Sequence, residues 1–241
     1  MTSRVELPWH RGPLASYDCE TTGLNTDTDR IVTAALVRPN GETLRWISDA
    51  DGMEVPTAAS DIHRYTTDRI RAHGSPAKQV IEEIADALAG ELSAGHAALV
   101  VMNAPFDLPI LNAECARHGA PTVADRIGGP IGPVIDPLVL DRAADRYRPG
   151  RRNLKTLAAH YGVELADAHQ SDADAEAALG VALALAERYE ELQVPARELH
   201  AWQVVWHERW AAGFEAHLRK RKPDAVVDRG WPLRAVTGGG C

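Results

Sequence analysis

A series of short apolar segments predicts a β-sheet in the first part of the chain. Residues 30–38 and 42–48 form two extended segments on either side of Asn40-Gly41, a dipeptide typical of a β-hairpin turn. The segment 98–102 is apolar throughout, which indicates a buried strand. The predicted strands cover residues 13–18, 30–38, 42–48 and 98–102, and a short strand ends at Asp136.

Apolar residues at helical spacing predict helices in the remainder of the chain, as at Val80, Ile81, Ile84 and Leu88. Residues 49–76 are rich in Pro, Asp and Thr and are interpreted as an irregular crossover. Strands that come first and then alternate with helices predict an α/β fold, a mixed β-sheet flanked by helices with a C-terminal helical extension. The predicted helices cover residues 77–92, about 107–119, 137–146, 153–160, 171–192 and 196–221.

The length of 241 residues predicts one full domain with an appendage. Apolar residues make up 45% of the chain and charged residues 25%, which is typical of a globular protein. We place the domain at residues 1–192 and the helical extension at residues 193–241. The last residues, from Pro223 to the terminal Gly-Gly-Gly-Cys, are expected to fray.

Charge and cysteine usage limit the classes of function. A net charge of −8 argues against a histone-like coat on nucleic acid, but not against an enzyme that meets phosphates through metal ions. No apolar run is long enough for a membrane span, so we expect no membrane partner, and the N-terminus lacks the apolar region of a secretory signal. Cys19, Cys115 and Cys241 lack disulfide or metal-ligand spacing, which favours a cytoplasmic protein.

Two acidic residues stand at the end of the first predicted strand. Asp18 and Glu20 are one residue apart, so strand geometry puts their side chains on the same face. Two such carboxylates repel, raise each other's pKa and normally need a cation between them. An isolated pair of this kind is equally typical of a solvated strand end, so the pair alone decides nothing.

Two more acids stand where helices are predicted to begin. Asp107 follows an apolar strand and a Pro-containing turn, and taken alone it is best interpreted as a helix N-cap. Asp174 lies in an acid-rich first helical turn. His169, five residues before Asp174, would by itself be an ordinary surface histidine.

Taken together and in order, these residues form a more specific pattern. Asp18-x-Glu20-Thr-Thr-Gly, Asn103-Ala-x-Phe-Asp107 and His169-x4-Asp174 closely resemble the DEDDh exonucleases. These belong to the DnaQ-like superfamily, which has the ribonuclease-H-like fold and includes the epsilon proofreading subunit of bacterial DNA polymerase III. The resemblance covers about residues 13–190. A sister subclass has tyrosine four residues before the last aspartate, where this chain has Gln170.

The resemblance implies a two-metal phosphodiester hydrolase. Asp18, Glu20, Asp107 and Asp174 would bind two divalent cations, and hard oxygen ligands select Mg²⁺ or Mn²⁺. His169 would be the general base that takes a proton from the attacking water. These five residues are the predicted catalytic set.

The resemblance also implies contacts to the terminal nucleotide. Gly23 has an alternative interpretation as a turn glycine, and Phe106 as a core residue. Where related enzymes often have a glutamate five residues before the histidine at position 63, this chain has Ala58. Cys19 is expected to point into the core, and Asp136 to cap the following helix. The predicted substrate-binding residues are Thr21, Thr22, Gly23, Leu24, His63, Asn103 and Phe106.

The predicted function is a metal-dependent 3′→5′ exonuclease that releases nucleoside 5′-monophosphates from single-stranded DNA ends, in proofreading or repair. One alternative is an exoribonuclease that trims RNA 3′ ends, since no feature of the sequence reads a 2′-hydroxyl. A second alternative is a nucleic-acid-binding module without turnover. The presence of all four acids and the histidine argues against that module.

The C-terminal extension lies outside the resemblance and carries a stripe of apolar side chains at i, i+4 spacing. We favour packing of this stripe on the domain. The alternative is a docking face for a polymerase or repair partner, because aromatic residues anchor interfaces. The basic residues 219–222 could contact nucleic acid or be solvated. The stripe consists of Trp202, Trp206, Trp210, Phe214 and Leu218.

Overall fold

The computed structural model describes residues 6–93 and 97–234 and contains a five-stranded sheet in the order β3-β2-β1-β4-β5. β2 pairs antiparallel with both of its neighbours, whereas β1, β4 and β5 are parallel to one another. The predicted hairpin is present as β2 and β3, with Val37 paired to Thr43. The strands are β1 (Leu14–Thr21), β2 (Ile31–Val37), β3 (Thr43–Ile47), β4 (Ala98–Val100) and β5 (Val134–Ile135).

Helices cover both faces of this sheet, so the predicted mixed sheet flanked by helices is confirmed. Side chains of α3, α4 and α5 pack in one apolar cluster, and side chains of α7 and α8 pack in a second cluster. The helices are α1 (Thr57–His63), α2 (Thr67–His73), α3 (Ala77–Leu92), α4 (Ala104–His118), α5 (Val123–Ile127), α6 (Pro137–Ala144), α7 (Leu154–Tyr161), α8 (Ser171–Arg188) and α9 (Ala196–Arg219).

Side chains of β1 alternate between the two faces of the sheet, and this alternation decides on which face the acidic pair lies. Cys19 is buried in the cluster that contains α3 and α4. On the opposite face, the Ser16 hydroxyl donates to the carbonyl of Ala175 in α8 at 2.7 Å. Asp18 and Glu20 continue the Ser16 row and therefore lie on the α8 face at the end of the strand.

The observed secondary structure differs from the predicted one at α5, which the sequence pattern does not predict, at the end of β1, which continues to Thr21, and in the two regions that follow. The crossover at 49–76 contains α1 and α2, each of only seven residues, so neither helix has room for an apolar period. Thr66 caps α2 by accepting from the backbone N–H of Arg69 at 3.2 Å. α4 begins at Ala104 rather than near Asp107, because Pro105 lies in its first turn, where the missing N–H costs nothing.

The buried face of α9 is more polar than the sequence indicates. Its Gln203 accepts from the backbone N–H of Asp136 at 2.7 Å and donates to the carbonyl of Val134 at 2.9 Å. His200 accepts from the backbone N–H of Val134 at 3.0 Å. α9 therefore covers the open edge of β5 and supplies the hydrogen-bond partners that an edge strand lacks. The buried residues of α9 are Leu199, Gln203, His207, Ala211 and Glu215.

The predicted aromatic stripe lies beside that buried face and is only partly covered. Trp202 and Trp206 pack against the cluster that contains α7 and α8. Trp210 is half-buried, and Phe214 is 41% exposed. Leu218 is also half-buried, so the favoured interpretation, packing of the whole stripe, is met in part, with Phe214 exposed.

The chain after α9 returns to the domain, which differs from the predicted frayed tail. Trp231 is 5% exposed and packs in the apolar cluster that contains α3 and α4. The backbone N–H of Val227 donates to a carboxylate oxygen of Glu215 at 3.1 Å. Residues 235–241, for which fraying is also predicted, lie outside the described residues. Across residues 6–93 and 97–234, no helix has both the length and the apolar character of a membrane span.

Candidate active site

The strand end carries two carboxylates with a buried cysteine between them. Asp18 and Glu20 are both half-buried, whereas Cys19 is 6% exposed. The pairing of β1 with β2 becomes irregular between Glu20 and Thr21, where the register shifts. Such irregularities commonly end a strand next to a functional site, because they redirect the side chains that follow.

Asp107 reaches the same strand end from α4. It lies in the first turn of α4 and is 4% exposed, whereas Asn103 holds the N-cap position, so the alternative interpretation of Asp107 as an N-cap is wrong. Its Oδ1 accepts from the backbone N–H of Cys19 at 3.0 Å and from the Cys19 thiol at 3.1 Å. Cys19 thus points into the core as predicted and also holds the Asp107 carboxylate against β1.

Asp174 and His169 approach from the start of α8. Both carboxylate oxygens of Asp174 accept from the backbone N–H of His169, each at 3.2 Å. His169 has a φ of 71°, in the left-handed region that non-glycine residues rarely adopt. A ring nitrogen of His169 and carboxylate oxygens of Glu20 and Asp174 all lie within 4.8 Å of one another.

The four carboxylates interact electrostatically, and each has a raised pKa. Burial is the main cause at Asp18, whose pKa is well above its usual value, and the charges of the other three acids add to the effect. Burial and the nearby charges of Asp174 and Asp107 raise the pKa of Glu20 to about 8. Burial raises the pKa of Asp107 to about 7, against the hydrogen bonds from Cys19. Burial also raises the pKa of Asp174. Such a cluster favours protons or cations.

The donor set fits divalent cations of the Mg²⁺ or Mn²⁺ type. Its ligands are carboxylate oxygens, and hard oxygen ligands are those that these ions prefer, while the His169 ring nitrogen lies beside them. A bound cation would stabilise the charged carboxylates and so offset the burial and the mutual repulsion that raise their pKa values.

His63 lies beside the His169 loop, although it is far from it in sequence. It ends α1 and is 1% exposed. The side-chain amide of Gln170 donates to the His63 carbonyl at 3.0 Å, which joins α1 to the start of α8. The His63 Nδ1 accepts from the backbone N–H of Tyr65 at 3.1 Å, and burial lowers the pKa of the ring.

The loop after β1 is held by its own side chains. The Thr21 hydroxyl donates to the carbonyl of Gly23 at 2.6 Å, and the Thr22 hydroxyl donates to Oδ1 of Asp29 at 3.1 Å. Leu24 is 85% exposed, so a large apolar side chain stands in solvent at the rim of the site. These hydrogen bonds hold the backbone of the loop, and the Leu24 side chain extends from it into solvent.

Gly23 is required by the close approach of a side chain. A Cβ at this position would lie 2.6 Å from Oδ2 of Asp29. That oxygen also accepts from the backbone N–H of Asn25 at 2.7 Å, so it has little freedom to move. The alternative interpretation, a turn glycine, describes this position better than an approach of bare backbone to a ligand.

The two remaining predicted residues lie at the start of α4. Asn103 is the residue before the helix, has a φ of 62°, and makes no side-chain capping bond. Phe106 is half-buried. Asp136 caps α6 as predicted, since its Oδ1 accepts from the backbone N–H of Leu138 at 2.9 Å. Its same oxygen also accepts from the backbone N–H of Asn103 at 3.0 Å, a contact for which the sequence holds no signal.

A second group of ligand-type side chains is an ion-pair network. Atoms of Asp51, Glu114 and His118 lie within 4.8 Å of one another. Arg30 pairs with Asp51 at 3.1 Å, and Arg117 pairs with Glu114 at 3.0 Å. Two guanidinium groups already supply the positive charge that a metal ion would bring. The network connects α4 to the turn before α1.

A cleft of about 640 Å³ lies between α6 and α9. The Arg142 guanidinium carbon is 3.6 Å from the ring centroid of Trp210, whose ring stacks on Phe214 at 5.3 Å. Arg146 and Arg209 also line the cleft. The aromatic residues of the stripe therefore line a cavity that also contains three arginines and one glutamate, Glu191.

Comparison with known proteins gives matches at the level of family and of fold. A family model described as an exonuclease, RNase_T, matches residues 16–182. A PolC-type DNA polymerase III from Lacticaseibacillus paracasei is 30% identical over 170 residues, which cover 67% of this chain and 10% of that protein.

Solved structures of Exonuclease I share the fold. The enzyme from Methylocaldum szegediense has a TM-score of 0.64 at 21% identity and covers 83% of this chain and 46% of its own. E. coli Exonuclease I in complex with a dT13 oligonucleotide has a TM-score of 0.61 at 20% identity and covers 76% of this chain and 42% of its own. The chain thus spans about a tenth of the polymerase and less than half of these Exonuclease I chains.

Proposed function

Because the chain belongs to this exonuclease family, we propose that it is a metal-dependent 3′→5′ exonuclease that releases nucleoside 5′-monophosphates from single-stranded DNA ends. The observation that carries the proposal is the meeting of Asp18, Glu20, Asp107 and Asp174 at one strand end, with the His169 ring beside them. Like charges at this density destabilise a fold, and such clusters therefore occur mainly at functional sites.

The carboxylates prepare the site for two divalent cations. When bound, such ions activate a water molecule and stabilise the leaving 3′ oxygen. Asp18, the acid whose pKa responds to all three of the others, is the best candidate to contact both ions. Cys19 keeps Asp107 in place through its backbone N–H and its thiol.

His169 is the proposed general base. Its side chain is exposed, so solvent water can reach the ring, and a ring nitrogen lies within 4.8 Å of the carboxylate oxygens of Glu20 and Asp174. The hydrogen bonds from its backbone N–H to Asp174 keep the ring at the site. The ring would accept the proton of the attacking water, a contribution of about 10²–10⁴-fold in rate.

The terminal nucleotide would lie between the loop after β1 and the start of α4. The exposed side chain of Leu24 is available to pack on a base or sugar, and Phe106 is the aromatic residue on the other side. The loop residues Thr21, Thr22 and Gly23 would line one side of the nucleotide site. Asn103 and His63 would line the remaining sides.

DNA is favoured over RNA because of the relatives. The L. paracasei relative is a DNA polymerase, and one E. coli Exonuclease I structure holds a dT13 oligonucleotide. A proofreading or repair role follows from the same analogy. Free, buried Cys19 and Cys115 are compatible with the proposed cytoplasmic location.

A partner would dock at the cleft between α6 and α9. Arg142, Arg146 and Arg209 give this cleft a positive charge in a chain of net charge −8, and Trp210 and Phe214 supply apolar area. This combination suits an acidic segment of a polymerase or repair protein, since aromatic and arginine residues dominate interface energies.

The test uses matched single-stranded DNA and RNA oligonucleotides with Mg²⁺ or Mn²⁺. Labels at the 5′ end and, separately, at the 3′ end reveal the polarity, and chromatography identifies the mononucleotide released. We expect release of 5′-monophosphates from the 3′ end, faster on DNA. Asp18→Asn should be inactive, and Asp167→Asn, an exposed acid outside the cluster, should match wild type. Faster cleavage of RNA would favour the exoribonuclease alternative, and binding without cleavage would favour the non-catalytic module.

A further inference from the structure

One buried carboxylate joins three parts of the chain next to the candidate active site. Asp136 is 0% exposed. Its Oδ1 accepts from the backbone N–H groups of Asn103 at 3.0 Å and Leu138 at 2.9 Å. Its Oδ2 accepts from the backbone N–H of Ala104 at 3.1 Å and from the indole N–H of Trp231 at 3.2 Å. All four donors converge on a side chain that takes no part in the proposed chemistry.

The start of α4 depends on this carboxylate. The first backbone N–H groups of a helix have no partner within the helix. Asn103 precedes α4 in the left-handed region, and its own side chain makes no capping bond. Asp136 therefore acts as a cap from a distant part of the chain, and the turn that it caps carries Asp107. The Asp107 side chain is in turn held by the hydrogen bond from the backbone N–H of Cys19.

The C-terminal segment brings Trp231 to this point. Its ring packs against the ring of His200 on α9, with centroids 5.0 Å apart. Beyond it, the Arg234 side chain donates to the carbonyl of Pro105, in the first turn of α4, at 3.4 Å. The segment thus contacts both the cap and the capped turn.

We infer that Trp231 is a positioning residue for the exonuclease site: its indole N–H orients the Asp136 carboxylate, which fixes the first turn of α4 and with it Asp107. The carboxylate has two oxygens and three backbone donors to satisfy. Without the indole, Oδ2 keeps only the Ala104 N–H as a donor, so this oxygen and the helix start that it caps are held less firmly. The inference rests on the proposed function, because Asp107 matters as a metal ligand only if the protein is such an exonuclease.

The variant Trp231→Phe removes the N–H and keeps an aromatic ring. Trp9→Phe is the matched control, because Trp9 is 2% exposed and also donates a buried indole hydrogen bond, to the carbonyl of Leu192 at 2.9 Å. Both variants lose one such bond and should lose similar stability. Asp136→Asn keeps the shape of the cap and removes its charge and one acceptor, so its effect should exceed that of Trp231→Phe.

The first measurement is hydrogen exchange at the backbone amides of Asn103, Ala104, Phe106 and Asp107, compared with amides in the middle of α4. The second is the affinity for Mn²⁺, measured by calorimetry. We expect faster exchange in the first turn of α4 and Mn²⁺ affinity lowered about tenfold in Trp231→Phe, as when outer partners of ligands are removed. The control should show neither change, and kcat should fall with KM for DNA unchanged.

Exchange in the first turn of α4 that is the same in Trp231→Phe and in the control would overturn the inference. So would equal Mn²⁺ affinity in the two variants. The exchange measurement needs neither metal nor substrate. If wild type failed to bind Mn²⁺ or to degrade DNA, the proposed function would fall, and exchange would still decide whether Trp231 fixes the turn.

Discussion

The backbone N–H of His169 donates to both carboxylate oxygens of Asp174, each at 3.2 Å. This bifurcated bond connects the proposed base to a proposed metal ligand through the main chain. It also compensates for the left-handed backbone at His169, where φ is 71°. The main chain that carries the imidazole is therefore held by the same carboxylate that would hold the cation.

Replacement of His169 tests the base. We expect His169→Asn to lower kcat by about 10²–10⁴-fold, since asparagine tolerates the left-handed backbone and cannot act as a base near neutral pH. Mn²⁺ affinity should change little, and the acid limb of the pH–rate profile should flatten. Steady-state kinetics across pH provide the measurement. A profile identical to that of wild type would mean that another group takes the proton.

Neutralising one acid should separate stability from activity. Asp18→Asn removes a charge from a buried, repelling cluster, so the metal-free protein should melt several degrees higher while turnover is lost. Chelation by EDTA should abolish wild-type activity, and Mn²⁺ should restore it. Thermal melts in EDTA and single-turnover assays give the two readouts. Full activity after exhaustive chelation would exclude the two-metal mechanism.

The raised pKa of Glu20 predicts how the stability of the metal-free protein depends on pH. With a pKa of about 8 in the folded state against an ordinary 4.5, the folded protein binds more protons than the unfolded one between these values. The free energy of unfolding contributed by Glu20 is fully present below pH 4.5 and falls as pH rises towards about 8. Melting in EDTA should show this decline, and Glu20→Gln should reduce it. Equal slopes for both proteins would contradict the prediction.

Removal of residues 196–241 tests the role of α9. The deletion uncovers the edge of β5, because His200 and Gln203 hold its backbone groups, so the melting temperature and the solubility should fall together. Deletion of residues 235–241 alone is the control. A soluble protein with an unaltered melt would mean that α9 serves docking rather than the fold.

The basic end of α9 should affect long substrates more than short ones. Lys220, Arg221 and Lys222 are exposed, whereas Arg219 pairs with Glu215 at 3.0 Å and is best left in place. Replacing the three by glutamine should weaken binding to long single strands and reduce the salt slope by up to about 2, roughly 0.7 for each phosphate that is no longer neutralised. Salt-titrated anisotropy measures both. An unchanged slope would indicate that these charges are merely solvated.

The sequence predicts those parts of the fold that follow a local period. The apolar spacing of α3 gives both of its ends, Ala77 and Leu92, and the Asn-Gly turn gives the β2–β3 hairpin. α1 and α2 are too short to show a period, and Pro105 resembles a turn although it opens α4. Local pattern therefore succeeds where an element spans several periods.

The sequence predicts the site residues that lie in local motifs. It does not predict the contacts between residues that are far apart in the chain. The family motifs indicate Asp18, Glu20, Asp107, Asp174 and His169, and the structure brings these residues together. Three contacts are invisible in the sequence because their partners are 88 to 107 residues apart. They join Cys19 to Asp107, Trp231 to Asp136, and Gln170 to His63.

The lack of space for a side chain at Gly23 limits which substitutions this loop tolerates. A methyl group there would collide with Asp29, which itself ties Thr22 and Asn25 into the loop. Any side chain at position 23 therefore requires the Asp29 carboxylate to shift, which weakens its hydrogen bonds to Thr22 and Asn25. The effects of substitutions at positions 23 and 29 should therefore be coupled, so that a side chain at position 23 costs less stability when residue 29 is small.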